Sequence, residues 1–250
     1  MQEFVALANR LADAAGEIVK QYYRQPFEVE TKGDDSPVTI ADRAIEQRMR
    51  EMIEAERPQD GILGEEFGVK DGTNGLTWVL DPIDGTKSFV IGRPTFGTLI
   101  ALCDGGLPKL GVIDQAILGE RWVGVNGEQT LFNGKAVKCA PCPSLEAARI
   151  GSTTPAMFEK VGPVYQKFNE GRFFWGGDCY QYGLMACGFV DVILEAGLSP
   201  YDYAALVPVV QGAGGHMSDF AGRALTLESD GTVLAVGDKA LVDEALEVLG

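Results

Sequence analysis

Histidine is almost missing from this chain: 250 residues include one, His216. A single imidazole excludes zinc centres built on several histidines. His216 stands in a Gly-rich stretch ahead of a strand and reads as structural. Long apolar runs are missing too, and without about 18 consecutive apolar residues nothing is expected to span a membrane. The start, Met1-Gln-Glu-Phe4, lacks the basic and apolar stretches of a secretory leader, so the chain reads as cytoplasmic. Cysteines number 5, an odd count, and in that compartment they are expected as free thiols. Cys139 and Cys142 form an isolated CxxC flanked by Pro141 and Pro143, which suits an extended loop better than a metal or redox motif. Positive charge is scarce: 21 Lys and Arg face 36 Asp and Glu, for a net charge of −15. That excludes a surface for nucleic-acid backbones, which needs clustered cations. An acidic protein also repels anionic substrates, unless bound divalent cations invert the local charge.

What is present suffices for a large core, with 46% hydrophobic and 9% aromatic residues and no low-complexity tract or internal repeat. The length suits one continuous α/β unit, read as a single domain over 1–250 with an α+β part to about residue 140 and an α/β part from 141. Apolar residues at 3.6 spacing predict helices over 2–24 and Ala41–Glu56, the latter followed by Pro58. Residues 28–38 read as extended and polar, with a loop at Gly33–Pro37. Gly61–Glu66 reads as a short strand running into a loop, and Thr77–Asp81 as a second strand. Phe96–Cys103, Leu110–Gln115 and Glu120–Val125 read as an antiparallel meander joined by Gly and Asp turns. Beyond 145, strands are expected at Ala147–Ile150, Phe173–Trp175, Val190–Glu195 and Val233–Val236. Helices are expected at Pro155–Asn169, Asp178–Cys187, Tyr201–Gly212 and Lys239–Leu249.

The chemistry concentrates in Trp78-Val-Leu-Asp81-Pro-Ile-Asp84-Gly-Thr86-Lys-Ser-Phe89. An apolar strand delivers Asp81, Pro82 is expected to force a turn, and Asp84 returns a second carboxylate three residues on. Two carboxylates across a tight turn suit hard cations such as magnesium, which take oxygen ligands and leave room for phosphate. Amides at a helix opening on Thr86 would face that phosphate. The plainer alternative is an Asp-Pro turn in which Asp84 caps a helix. Three further acids recur at element ends, each with an ordinary alternative. Gly64-Glu65-Glu66 could be a solvated loop, Asp202 could cap a helix from Ala204, and Asp42 in Pro37-Val-Thr-Ile-Ala-Asp42 could cap the second helix.

Taken in order, Gly64-Glu65-Glu66, Asp81-Pro-Ile-Asp84-Gly-Thr86 and Tyr201-Asp202 resemble the inositol monophosphatase family of magnesium-dependent phosphatases, and the likeness runs nearly end to end. The resemblance implies a layered αβαβα sandwich of the inositol monophosphatase / fructose-1,6-bisphosphatase type. It implies two or three magnesium ions, with manganese as an alternative. Glu65, Asp81 and the Ile83 carbonyl would hold the first, and Asp81, Asp84 and Asp202 the second, with a weaker third beside Glu65. Thr86 with Asp42 or Glu65 would orient and deprotonate the attacking water, and the amides of Gly85 and Thr86 would bind phosphate. No protein nucleophile is needed. A homodimer is implied as well.

Within the family, Trp175-Gly176-Gly177-Asp178-Cys-Tyr-Gln-Tyr182, Lys87-Ser88-Phe89, Gly92-Arg-Pro-Thr95 and Pro200-Tyr201-Asp202 resemble the histidinol-phosphatase branch. Histidinol phosphate carries an ammonium group and an imidazole. Asp178 at the substrate wall and Glu195, seven residues before Asp202, would suit those cations, although Asp178 could equally cap the helix over 179–187. An inositol-1-phosphate or broad sugar-phosphate phosphatase is the nearest rival. A 3′-phosphoadenosine-nucleotide phosphatase and a regulatory binding protein stand further off.

Overall fold

The computed structural model describes residues 1–25, 29–31, 37–168 and 172–250. Helix α1 (Gln2–Tyr22) turns Leu7, Leu11, Ala15 and Val19 inward at the expected spacing. A small antiparallel hairpin follows, β1 (Val29–Thr31) with β2 (Pro37–Thr39), and leads into α2 (Ile40–Glu56). The loop expected at Gly33–Pro37 lies largely outside the described residues.

The first half then builds a sheet from β3 (Gly61–Gly64), β4 (Gly68–Lys70), β5 (Leu76–Asp84), β6 (Gly97–Asp104), β7 (Leu107–Gln115), β8 (Glu120–Val125), β9 (Leu131–Phe132) and β10 (Lys135–Ala136), with helix α3 (Thr86–Val90) inserted after β5. Its eight strands run in the order β10-β9-β8-β7-β6-β5-β3-β4, so the meander from β6 to β8 is antiparallel as expected, and β5 joins it antiparallel to β6. The pairing of β3 with β5 is parallel.

The second half contributes β11 (Ile150–Ser152), β12 (Phe173–Trp175), α4 (Tyr180–Ala186), β13 (Val192–Glu195), α5 (Pro200–Tyr203), α6 (Leu206–Gly212), β14 (His216–Ser218), β15 (Val233–Val236) and α7 (Val242–Leu249). Its five strands run β12-β11-β13-β15-β14, parallel through the first three and antiparallel through the rest. Three expected elements differ. Residues 155–169 form two short 3-10 turns, Pro155–Phe158 and Val164–Lys167, because Gly162 (φ 79°) and Pro163 interrupt any continuous helix; Asn169 lies outside the described residues. The helix expected at Tyr201–Gly212 is broken into α5 and α6. The strand expected from Ala147 begins at Ile150, after a 3-10 turn capped by the Ser144 hydroxyl.

Alternation along the strands sets the layering. Trp78 and Leu80 of β5 face α1 and α2, whereas Val79 faces the opposite way toward α4 and α6. In the smaller sheet Ile193, Val233 and Ala235 join that same middle layer, while Val192, Leu194, Leu234 and Val236 face α7 and the 3-10 turns. The order is helices, large sheet, helices, small sheet, helices: the expected αβαβα sandwich. No described helix is long and apolar enough to cross a membrane. All five cysteines are free thiols.

Candidate active site

The parallel register of β3 and β5 puts Gly64 opposite Leu80, so both strands release their next residues at one sheet edge. The Glu65 amide donates to the Leu80 carbonyl at 3.3 Å, which sets Glu65 beside Asp81. Glu66 faces elsewhere, pairing with Arg43 at 3.5 Å, and neither glutamate is solvated as a free loop would be.

Pro82 does not end β5, contrary to expectation. The ladder with β6 runs from Asp81↔Leu99 on to Asp84↔Gly97 across a register shift. Proline lacks an amide hydrogen and is tolerated at such a bulge, and the Thr98 hydroxyl fastens the bend by donating to the Pro82 carbonyl at 2.8 Å. Gly85 (φ 81°) then opens α3, as the Thr86-Lys-Ser reading expected. Asp84 does not cap that helix: its Oδ2 accepts the Cys179 amide at 2.6 Å, across the middle layer. The Thr86 hydroxyl donates to the Ile83 carbonyl at 3.1 Å.

Asp202 lies within α5 rather than ahead of a helix at Ala204, and its Oδ2 accepts the Ser199 amide at 2.6 Å. Asp81, Asp84 and Asp202 each offer a carboxylate oxygen within 4.8 Å of the others. Asp81 is 1% exposed, and its Oδ1 has no hydrogen-bond partner. Burial pushes the Asp81 carboxyl well above its ordinary pKa, and the charges of Glu65, Asp84, Asp202 and Asp42 push it further. Asp84 is raised likewise by burial and by Asp178 and Asp202. Burial lifts Asp202 to about 6 against the opposing hydrogen bonds from Ser199 and Asp81. Three oxygen donors that repel one another, Asp81 buried with an orphaned oxygen and Asp84 and Asp202 half-buried at its side, fit a hard divalent cation. Asp42 is also 1% exposed and lies in the first turn of α2, with its charge acting on Asp81.

Above this cluster opens a cleft of about 230 Å³. Glu65, Asp84, Asp178, Glu195 and Asp202 line it alongside Gly85, Thr86, Thr153 and Tyr182, and Lys87 is the one cationic residue among the described lining. Gly176 and Gly177 form the bend between β12 and α4 beside the cleft. Gly176 takes a left-handed conformation (φ 84°) that side chains rarely adopt, with the Arg93 guanidinium lying against it.

Asp178 is not a helix cap. Cys179 precedes the first residue of α4, and Asp178 takes a left-handed conformation (φ 44°) that turns its carboxylate toward the turn after β5. Its Oδ2 accepts the Ser88 hydroxyl at 2.6 Å and the Thr95 hydroxyl at 2.7 Å. An added methyl at Gly85 would lie 2.8 Å from the Asp178 carboxyl carbon, so this contact needs a glycine. Glu195 is 4% exposed and accepts Thr153 at 2.6 Å, Gln181 at 2.9 Å and Tyr182 at 2.8 Å. Burial raises its carboxyl to about 7 in spite of the bonds from Thr153 and Tyr182. Ser88, Thr95, Gln181 and Tyr182 lie in segments that carried the resemblance but had no role assigned from sequence, and Thr153 was not singled out. Only Tyr182, one turn beyond Asp178, left a spacing signal.

Comparison with known proteins agrees with this geometry. The model of the inositol monophosphatase family matches residues 1–248. The chain is 44% identical to the chloroplastic bifunctional phosphatase IMPL2 of Arabidopsis thaliana, over 100% of this chain and 75% of that protein. It is 38% identical to a histidinol-phosphatase of Chlorobaculum parvum, over 92% of this chain and 90% of the relative. The solved structure of an inositol monophosphatase from Zymomonas mobilis superposes with a TM-score of 0.91 at 47% identity, covering 99% of this chain and 98% of that one.

Proposed function

From the chain's membership of the inositol monophosphatase family, a family of metal-dependent phosphatases, we propose that it hydrolyses histidinol phosphate to histidinol and phosphate. The observation that supports this choice is the lining of the cleft, where Asp178 and Glu195 add two acids beyond the cation cluster, and we assign them to the leaving-group side. A neutral polyol can donate its hydroxyls to them but brings no opposite charge. An ammonium or imidazolium gains charge-assisted hydrogen bonds. The 38% identical histidinol-phosphatase supports the same choice.

In this reading Glu65, Asp81, Asp84, Asp202 and the Ile83 carbonyl hold two or three magnesium ions, with manganese as a substitute. The ions supply positive charge against the phosphate and make a water acidic enough to attack near neutral pH. The Thr86 hydroxyl donates its hydrogen bond to the Ile83 carbonyl, so its oxygen is left to accept a hydrogen bond from that water and aim it. Asp42, or Glu65, takes the one proton the water gives up. The amides of Gly85 and Thr86 face the phosphate oxygens, and Gly176 and Gly177 let the Asp178 turn approach. Asp178 and Glu195 hold the departing amino alcohol.

A second reading is favoured by one observation: the 47% identical solved structure is an inositol monophosphatase. Turnover of a panel of phosphate monoesters with magnesium separates the two. Histidinol phosphate should give the highest kcat/KM, and a higher value for inositol 1-phosphate would overturn the choice. The assembly proposed is a homodimer, checked by a sedimentation mass twice the 26.8 kDa of the chain.

A further inference from the structure

Glu46 and Arg50 follow Asp42 at four-residue steps on α2, so all three share a helix face. Glu46 is fully buried, at 0% exposure. Its Oε1 accepts Arg50 Nε at 2.7 Å and the Phe67 amide at 3.2 Å, and its Oε2 accepts the Glu66 amide at 2.7 Å. Arg50 Nη2 donates in turn to the Gly68 carbonyl. The pair therefore grips the turn between β3 and β4 at the two amides that follow Glu65 and at the carbonyl that ends it. Both ends of the turn are glycines and Phe67 is 47% exposed, with the Arg50 guanidinium over its ring, while the Glu66 side chain packs inward against Arg43. Gly64 completes the arrangement: a methyl group there would overlap the Glu46 carboxylate.

A buried ion pair is a weak source of stability, because desolvation offsets its attraction. It does impose direction, since two successive amides bonded to one buried carboxylate fix the turn's placement around it. We propose that Glu46 is a positioning residue: with Arg50 it fixes the backbone of residues 64–68 so that the Glu65 carboxylate meets Asp81, and it thereby sets the site's affinity for its divalent ion. This rests on the reading of Glu65 as a ligand.

The test is calorimetric binding of magnesium to the metal-free full-length chain, read beside thermal unfolding in chelator. Glu46→Gln is expected to weaken binding at least tenfold while remaining folded. Gly64→Ala should do the same and also melt earlier. In the double variant Gly64→Ala/Glu46→Ala the overlap is gone, so the melting temperature should recover toward that of Glu46→Ala while binding stays at least tenfold weak. Arg50→Lys keeps a charge on Glu46 but loses the reach to Gly68, and should weaken binding severalfold. Magnesium affinity equal to wild type in folded Glu46→Gln, in the double variant or in Arg50→Lys overturns the proposal. Wild-type binding that is lost in Asp84→Asn but kept in all these variants removes the positioning role and leaves the site reading intact. A wild-type chain that binds no divalent ion removes both.

Discussion

Asp84 and Asp178 both border the cleft, yet their neighbours assign them different work. Asp84 stands among repelling carboxylates, and among the described residues its carboxylate is held by the Cys179 amide. Asparagine would keep an oxygen for that amide while removing the charge. Asp84→Asn should therefore lower kcat by at least about a hundredfold on every substrate, since an electrostatic contributor is lost. Its melting temperature in chelator should be unchanged or higher, because a buried like charge is gone. Asp178 holds two hydroxyls through Oδ2 alone, and neither bond uses Oδ1. Asp178→Ala should raise KM for histidinol phosphate roughly tenfold more than KM for inositol 1-phosphate, since a bond to a charged group is worth about 1.5–3 kcal/mol. Equal effects on the two substrates would return Asp178 to a purely structural role.

Among the elements, the contact that places Asp202 is the seat of α6 on the large sheet. Gly111 of β7 and Gly124 of β8 are cross-strand partners. A methyl at Gly111 would overlap the Ala205 carbonyl, and one at Gly124 would overlap the Pro208–Val209 backbone. The helix backbone thus rests on a bare patch of sheet, and α5, four residues long with Asp202 in it, is fixed immediately upstream. Gly124→Ala must lift α6. It should cost about 1–3 kcal/mol, as overpacking generally does, or roughly 2–12 °C at this chain length. Magnesium affinity should fall with it, which thermal melts and calorimetry on one sample would report. A variant with unaltered melting temperature would show that α6 is not held by this contact.

For the molecule as a whole, the carboxylates between the two sheets couple folding to pH and to metal. In the metal-free protein Asp202 is raised to about 6 and Glu195 to about 7, so the folded form keeps protons that the unfolded chain has released. The stability so gained is complete below the unfolded carboxylate values of about 4 and is lost as pH rises through the folded values. Melting temperature in chelator should therefore fall between pH 5 and pH 7.5. Magnesium should reverse the loss, and do so more at pH 7.5 than at pH 5, where protons compete for the same oxygens. At about a hundredfold excess over its Kd it adds about 2.7 kcal/mol, or roughly 5–10 °C. A chelator-treated protein whose melting temperature rises over that range would contradict the burial of these groups.

The amino-acid sequence by itself determined whatever depends on local pattern. The spacing of Leu7, Leu11, Ala15 and Val19 is enough for α1, and alternation with Gly turns is enough for the meander of β6 to β8. The pair Asp81 and Asp84 was visible because a strand end and a three-residue interval are local facts. Tertiary structure alone decided what those acids meet. The parallel alignment of β3 with β5 puts Glu65 beside Asp81 although 16 positions separate them, and no periodicity encodes strand direction. Pro82 reads as a stop, yet the β6 backbone tolerates it at a bulge. Residues 155–169 have helical spacing, but Gly162 and Pro163 override it. Asp178 reads as a substrate-wall acid with a helix cap as the alternative, and it is bent over Gly85 toward Ser88 and Thr95 rather than capping. Gly162 and Pro163 act locally; in the other cases the deciding interaction joins residues distant in sequence, brought together as the layers of the sandwich close on them.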